Sequence, residues 1–157
     1  MEQNLTFYPG GDRFNVRTAA VLLWQDRVLL SRDVPDAGYQ FLPGGRVQLH
    51  EPAAQTIQRE LREELGVTLP ADALQECGVR HFTFEDVFHG RLFKDNQVSK
   101  VFCLWLDKNA EDFTVQKEEI DYVRWFGLEE AIEAVKNNTI PNCIYLEELE
   151  MVAAATR

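Results

Sequence analysis

The sequence predicts an α+β protein in which a mixed β-sheet is covered by α-helices. Segments rich in β-branched and apolar residues dominate the middle of the chain, one strongly periodic helical segment interrupts them, and two helical segments follow them. The chain has 157 residues, of which 45% are hydrophobic, and this suffices for one domain with a buried core. We therefore expect residues 1–157 to form a single domain.

Short segments of high β-propensity predict the strands of this sheet. The first two are joined by the polar pair Gln25-Asp26, which predicts a hairpin, and residues 90–97 are interpreted as a long hairpin loop. The predicted strands are residues 15–24, 27–32, 39–42, 77–88, 98–107 and 122–126.

The helical segment at residues 53–65 has recognisable start and stop signals. Pro52 suits the first turn of a helix, and Gly66 suits a left-handed cap after its last turn. Helical periodicity returns at residues 128–136 and 144–155. The sequence therefore predicts three helices.

A net charge of −10 with scattered basic residues argues against nucleic-acid and membrane partners, which both need a basic surface. The N-terminal residues lack the basic and apolar regions of a leader, and no segment has the length of a membrane span. Three widely spaced cysteines are typical of reduced thiols. We expect a cytoplasmic protein, and a homodimer is compatible with the sequence.

Three glutamates in the predicted first helix lie beside its apolar stripe. Glu60 and Glu63 flank the stripe, whereas Glu64 falls within it, next to Ile57 and Leu61. Like charges at these spacings repel one another, and partial burial increases the cost. Mg²⁺ or Mn²⁺ would relieve the repulsion, because both prefer hard oxygen ligands. A solvated acidic helix face is the alternative for these three residues alone.

The segment GRVQLHEPAAQTIQRELREELGV, at residues 45–67, extends the pattern on both sides of these glutamates. It has Gly, five residues, Glu, seven residues, and then Arg-Glu-apolar-any-Glu-Glu-any-Gly-apolar. Every fixed position agrees with the Nudix box, so the chain resembles the MutT-like Nudix hydrolase family. The resemblance implies a Nudix fold, in which a mixed sheet is sandwiched between helices in an α/β/α arrangement.

The resemblance also implies a catalytic metal site. Its ligands would be the carboxylates of Glu60, Glu63 and Glu64 and the backbone carbonyl of Gly44, with Mg²⁺ as the cofactor and Mn²⁺ as an alternative. Arg59 would orient the glutamates, with Glu51 as a further support. A surface role for Arg59 is the alternative.

Other residues are assigned less directly to the site. Some Nudix relatives place a further glutamate before the last strand, and Glu119 has a similar position here. The adjacent Glu118 could serve instead, and both could be solvated charges. Arg32 and Arg46 are candidates for binding phosphate, and Phe88 for stacking on a base.

The implied reaction is attack of water on the diphosphate of a nucleoside diphosphate linked to another group. A small nucleotide-like molecule is thus the expected substrate, and a nearby carboxylate such as Glu60 or Glu119 would accept the proton. Two alternatives stay open. One is a catalytically silent Nudix-like domain that binds a nucleotide or serves as a sensor, and the other is an enzyme acting on RNA ends, which the acidic charge disfavours.

Overall fold

The computed structural model describes residues 4–34 and 38–156, apart from the side chain of Phe88. Within these ranges, eight strands form one mixed sheet. The strands are β1 (Thr6–Phe7), β2 (Arg13–Trp24), β3 (Arg27–Asp33), β4 (Gln40–Phe41), β5 (Gly44–Arg46), β6 (Gln75–Phe88), β7 (Arg91–Trp105) and β8 (Ile120–Gly127).

Strand β2 is the centre of this sheet. It pairs in parallel with β7 over the register Arg13↔Asp95 to Leu23↔Trp105, and antiparallel with β1, β3 and β5. The main path runs β4-β3-β2-β7-β6, and β8 pairs with β3. Because one parallel pair lies among antiparallel pairs, the sheet is mixed, as predicted.

Helices cover both faces of the sheet. They are α1 (Ala53–Leu65), α2 (Leu128–Lys136) and α3 (Leu146–Ala155). Alternate residues of β2 point to opposite faces, so Leu22 packs in the layer with Leu61 of α1, whereas Val21 packs in the layer with Leu149 of α3. The predicted α+β class with an α/β/α sandwich is therefore confirmed.

Helix α1 ends where the sequence predicts. Gly66 has φ 67°, and its N–H donates to the carbonyl of Arg62, which closes the last turn in a left-handed cap. Pro52 is the N-cap and not the first helical residue. No helix in the described ranges is long and apolar enough to cross a membrane.

The predicted loop at residues 90–97 is wrong. Strands β6 and β7 stay paired as far as Phe88↔Arg91, so only His89 and Gly90 form the turn. Most side chains near the tip of this ribbon are exposed, and the polar composition therefore reflects solvent on both faces. The cysteines are free; Cys103 is buried, Cys77 is half-buried and Cys143 is exposed.

A half-buried ion pair joins β2 to β7 at one end of their parallel register. Asp95 is 5% exposed, and it accepts hydrogen bonds from Nε and Nη2 of Arg13 at 3.1 and 2.7 Å. The Arg13 guanidinium holds the pKa of Asp95 below its ordinary value of 3.8. The ionised form of Asp95 therefore stabilises the folded chain.

Replacing Asp95 by Asn should lower the free energy of unfolding by about 1–3 kcal/mol near neutral pH. The folded pKa of Asp95 is depressed, so its contribution is present above the unfolded value of 3.8 and is lost as the pH falls through the folded value. Urea unfolding at about pH 7 and about pH 3 should show the difference shrinking on acidification. Asp107→Asn, at an exposed position, is the control, and a difference that grows at low pH would contradict the assignment.

Candidate active site

The three glutamates of α1 differ in how deeply they are buried. Glu64 is 7% exposed, the Glu60 side chain is 15% exposed, and the Glu63 side chain is 52% exposed. This order follows from helical geometry, because Glu64 shares the face of Ile57 and Leu61, which are both fully buried. The prediction that Glu64 lies within the apolar arc is confirmed.

Glu64 is a carboxylate held in an unfavourable place for a negative charge. Its Oε2 atom is buried and has no hydrogen-bond partner within the described part of the chain. Desolvation raises the pKa of Glu64 most, and the neighbouring charge of Glu60 raises it further. Burial also raises the pKa of Glu60, although Arg59 opposes that shift. A hydrogen bond between the two carboxyls also raises the pKa of Glu64, so they form a hydrogen-bonded acidic pair.

Arg59 is fixed by a second carboxylate next to this pair. Its Nε and Nη2 atoms donate to the two oxygens of Glu51 at 3.0 and 3.1 Å, and Thr56 Oγ1 donates to Glu51 at 2.7 Å. The remaining nitrogen, Nη1, donates to Glu60 Oε1 at 2.9 Å and lies 3.6 Å from Glu63 Oε2. This geometry is that of a positioning residue that holds two glutamates through one guanidinium.

Strand β5 brings a glycine pair against the same carboxylates. Gly44 and Gly45 pair with Ala19 and Thr18 of β2. A Cβ atom on Gly44 would overlap the Thr18 carbonyl, and one on Gly45 would overlap the Glu60 carboxylate. Strand β5 can approach both β2 and the Glu60 carboxylate this closely because Gly44 lacks a side chain on the β2 side and Gly45 lacks one on the Glu60 side.

The segment before β8 carries Glu119 toward α1. The N–H of Gln116 donates to the Glu64 carbonyl at 2.9 Å, and that of Thr114 donates to the Leu65 carbonyl at 3.2 Å. Glu119 is exposed, and its charge contributes to the raised pKa of Glu64. The structure thus brings Glu119 within electrostatic range of the glutamates of α1, and the neighbouring Glu118 is also exposed.

The residues proposed from the sequence for substrate binding occupy different places. Arg46 is half-buried in β5, next to Arg17 of β2 and close to Arg59, whose Nη2 donates to the Arg46 carbonyl at 3.4 Å. Arg32 instead forms an ion pair with Asp121 at 3.1 Å. The side chain of Phe88 lies outside the described part of the structure.

A cleft of about 380 Å³ opens beside Gly44, between the sheet and the segment that leads into α3. We call it the β2–α3 cleft. Its volume is in the range of small-molecule sites. Its polar lining includes Arg17, Thr18, Arg80, Gln97, Ser99, Tyr145 and Glu148.

Sequence reasoning missed this cleft, although one signal was present. Arg17 is a charged residue in a strand that otherwise continues into an apolar run, which is unusual for a core strand. Arg80 and Glu148 gave no such signal, because they are 68 positions apart and meet only through the fold.

The acidic face of α1 fits a divalent cation. Within the described ranges, no three acidic, histidine or cysteine side chains already converge as a ready-made metal cage. The donors are nevertheless hard oxygens, as Mg²⁺ and Mn²⁺ prefer, and the unpartnered Glu64 Oε2 is a buried acceptor in need of a cation. The residues therefore suit a divalent cation by the type of their donor atoms and by the burial of Glu64 beside Glu60.

Comparison with known proteins shows the family. A family model described as NUDIX domain matches residues 14–145. The chain belongs to the NUDIX domain family. This match confirms the resemblance inferred from residues 45–67.

Two curated relatives agree with this membership. The Nudix protein is 35% identical to Nudix hydrolase 3 of Arabidopsis thaliana over 88 residues, or 55% of this chain and 11% of that one. It is 30% identical to an uncharacterized Nudix hydrolase of Pseudomonas aeruginosa over 118 residues, or 74% of this chain and 60% of that one. The matched region thus spans less than two thirds of either relative.

Solved structures share the fold. The NUDIX domain of Shewanella oneidensis NrtR, solved with ADP ribose, has a TM-score of 0.65 at 21% identity, covering 91% of this chain and 88% of that one. The MutT NUDIX hydrolase of Burkholderia pseudomallei has a TM-score of 0.55 at 25% identity, covering 74% of this chain and 84% of that one.

Replacing Gly45 by Ala should displace the Glu60 carboxylate, so that any metal-dependent hydrolysis by this protein falls roughly 100-fold while the protein stays folded. The added methyl group would displace the Glu60 carboxylate, which is the flexible end of a side chain and can move. Steady-state kinetics and thermal unfolding would check both parts. Gly127→Ala is a matched control, because its new Cβ would meet only an ordinary contact at 3.6 Å. Equal activity losses in the two variants would contradict the prediction.

Proposed function

We propose that this Nudix protein is a pyrophosphohydrolase that uses Mg²⁺, with Mn²⁺ as a substitute, to cleave the diphosphate of a nucleoside diphosphate linked to another group. The observation that carries the proposal is the buried, unpartnered oxygen of Glu64 next to the carboxylate of Glu60. A domain without a bound cation would gain stability by replacing such an acid, so its presence supports a cation-dependent role.

The residues that would hold the cation are Glu60, Glu63, Glu64 and the carbonyl of Gly44. When bound, the ion supplies positive charge that neutralises the diphosphate and polarises the attacking water. Arg59 keeps Glu60 and Glu63 oriented, since its other side is clamped on Glu51. Arg46, half-buried in β5, is suited to bind a phosphate oxygen.

In the proposed reaction, an oxygen of water forms a bond to one phosphorus of the diphosphate. The bond from that phosphorus to the bridging oxygen breaks, which yields a nucleoside monophosphate and a phosphorylated remainder. Glu119 is exposed and lies within electrostatic range of Glu64, and it is suited to accept the proton from water. Glu60 is the alternative acceptor, although Arg59 already holds one of its oxygens.

The test is product formation from a panel of diphosphate compounds, with the protein stripped of metal and then supplied with Mg²⁺ or Mn²⁺. ADP ribose belongs in the panel because it is a nucleoside diphosphate linked to a sugar. Release of a nucleoside monophosphate only with the cation is the expected result. Tight nucleotide binding without turnover of any compound would refute the enzyme and indicate a binding or sensor domain.

A further inference from the structure

The β2–α3 cleft has an excess of positive charge. Its lining contains two arginines, Arg17 and Arg80, and one carboxylate, Glu148, while its other lining residues are neutral. With all three groups ionised, the lining carries a net charge of +1 in a chain whose net charge is −10. A local excess of this sign attracts an anion.

Arg80 is held rigidly but is not fully paired. Its side chain is 4% exposed, its Nε donates to Glu148 Oε1 at 2.8 Å, and its guanidinium lies 3.6 Å from the centroid of the Tyr145 ring. Phe82 packs edge-on against the same ring at 4.9 Å, which fixes the ring in turn. The Arg80 Nη1 atom is buried without a hydrogen-bond partner in the described residues. One donor of a preorganised guanidinium that lines the cleft thus lacks a partner within the described chain.

Arg17 links the cleft to the acidic helix. Its half-buried guanidinium interacts electrostatically with Tyr145 and Glu148 on the cleft side and with Glu60 on the other side. Within the described ranges it forms no ion pair with any of these groups at 4 Å or less. Gly44 also lines the cleft, so the cleft opens beside the proposed position of the diphosphate.

We propose that the β2–α3 cleft binds a phosphate monoester that the substrate carries in addition to the diphosphate, with Arg17 and Arg80 as the donors. The connection to a substrate rests on the proposed function, whereas the anion site itself does not. Guanidinium groups match phosphate, because several N–H donors can meet its oxygens at once. The substrate class is therefore a nucleoside diphosphate derivative with a further phosphate group.

The experiment measures binding of inorganic phosphate to the full chain after metal has been removed with a chelating resin. Without a cation the glutamates of α1 repel phosphate, so the titration reports on the arginines. We expect Kd on the order of millimolar for the wild type, and a roughly ten-fold increase for Arg17→Gln. Arg27→Gln removes an exposed arginine outside the cleft and should leave Kd unchanged.

A measurement on the unaltered protein keeps the test independent of folding defects. Phosphate should shift the NMR resonances of the Arg17 and Arg80 Nε–H groups and leave that of Arg27 in place. Equal Kd values for the wild type and Arg17→Gln, or no shift at either cleft arginine, would overturn the proposal. Acetate that binds as tightly as phosphate would overturn the assignment to a phosphate group.

The two proposals fail in distinguishable ways. Phosphate binding to the metal-free protein together with no turnover of any diphosphate would refute the hydrolase and leave the anion site standing. Metal-dependent turnover without phosphate binding in the cleft would refute the anion site alone.

Discussion

Replacing Glu64 by Gln is expected to stabilise the metal-free protein and to lower Mg²⁺-dependent hydrolysis at least about 100-fold, since changes behind metal ligands already cost 10–100-fold. The two effects have one cause. The carboxyl of Glu64 is buried beside Glu60 and has an unpartnered oxygen, so it destabilises the metal-free protein, and a bound cation would remove that cost. A neutral amide needs no proton uptake on folding, and it weakens the proposed cation site.

The expected stabilisation is about 1–3 kcal/mol near neutral pH. Burial raises the folded pKa of Glu64 above its ordinary value of 4.5, so the folded chain keeps a proton that the unfolded chain has released. The contribution of Glu64 to the stability of the metal-free wild type therefore falls as the pH rises from about 4.5 to about 9, and Glu64→Gln avoids this loss. The difference between the two proteins should grow with pH.

Two variants make the comparison decisive. Glu63 is half exposed, so Glu63→Gln should lower activity without raising stability. Glu147→Gln, at an exposed position on α3, should change neither. Chemical unfolding after metal removal and kinetics with Mg²⁺ give both quantities. Full activity in Glu64→Gln would exclude its role as a ligand.

Replacing Arg80 by Gln should cost about 3–5 kcal/mol of unfolding free energy. The Arg80 and Glu148 side chains are 4% and 5% exposed and meet at 2.8 Å. Without Arg80, Glu148 would be a buried charge lacking its main partner, and the guanidinium would no longer cover the Tyr145 ring. This loss of stability should exceed the loss on breaking the exposed Lys100–Glu76 ion pair.

The double variant Arg80→Gln with Glu148→Gln should recover most of this loss, because it removes both charges. The matched control is Lys100–Glu76, which has a similar distance of 2.9 Å but side chains that are 37% and 63% exposed. Lys100→Gln should cost at most about 1 kcal/mol. Urea unfolding of these variants would measure the interaction energy between Arg80 and Glu148. If Arg80→Gln and Lys100→Gln lowered the free energy of unfolding equally, burial would not have the importance assigned to it.

Helix α1 was predictable because the sequence features that specify it are local. Its stripe, its cap at Gly66 and the placement of Glu64 follow from spacing within a few turns. The α+β class was predictable because the order of strand-like and helical segments can be read along the chain, and the apolar run of β2 is buried on both faces of the sheet.

The remaining features depend on contacts between distant segments. The strand at residues 77–88 was predicted, whereas the first part of β7 was missed because residues 91–97 have the composition of a loop. The cleft was missed because Arg17, Arg80 and Glu148 belong to three separate elements. The ion pair of Arg32 with Asp121 was also not foreseen, because the two residues are 89 positions apart, and phosphate binding by Arg32 stays a prediction.

Strand β2 has a consequence for how this protein can acquire new specificities. Its backbone pairs with β5, which carries the glycines, and its side chain at Arg17 enters the cleft. A one-residue shift in the register of β2 would displace the glycines of β5 and the Arg17 side chain together. It would also turn each apolar side chain of β2 to the opposite face of the sheet. Evolutionary or laboratory redesign of ligand preference must therefore proceed by exchanging side chains on a fixed strand, and insertions belong in the connecting turns.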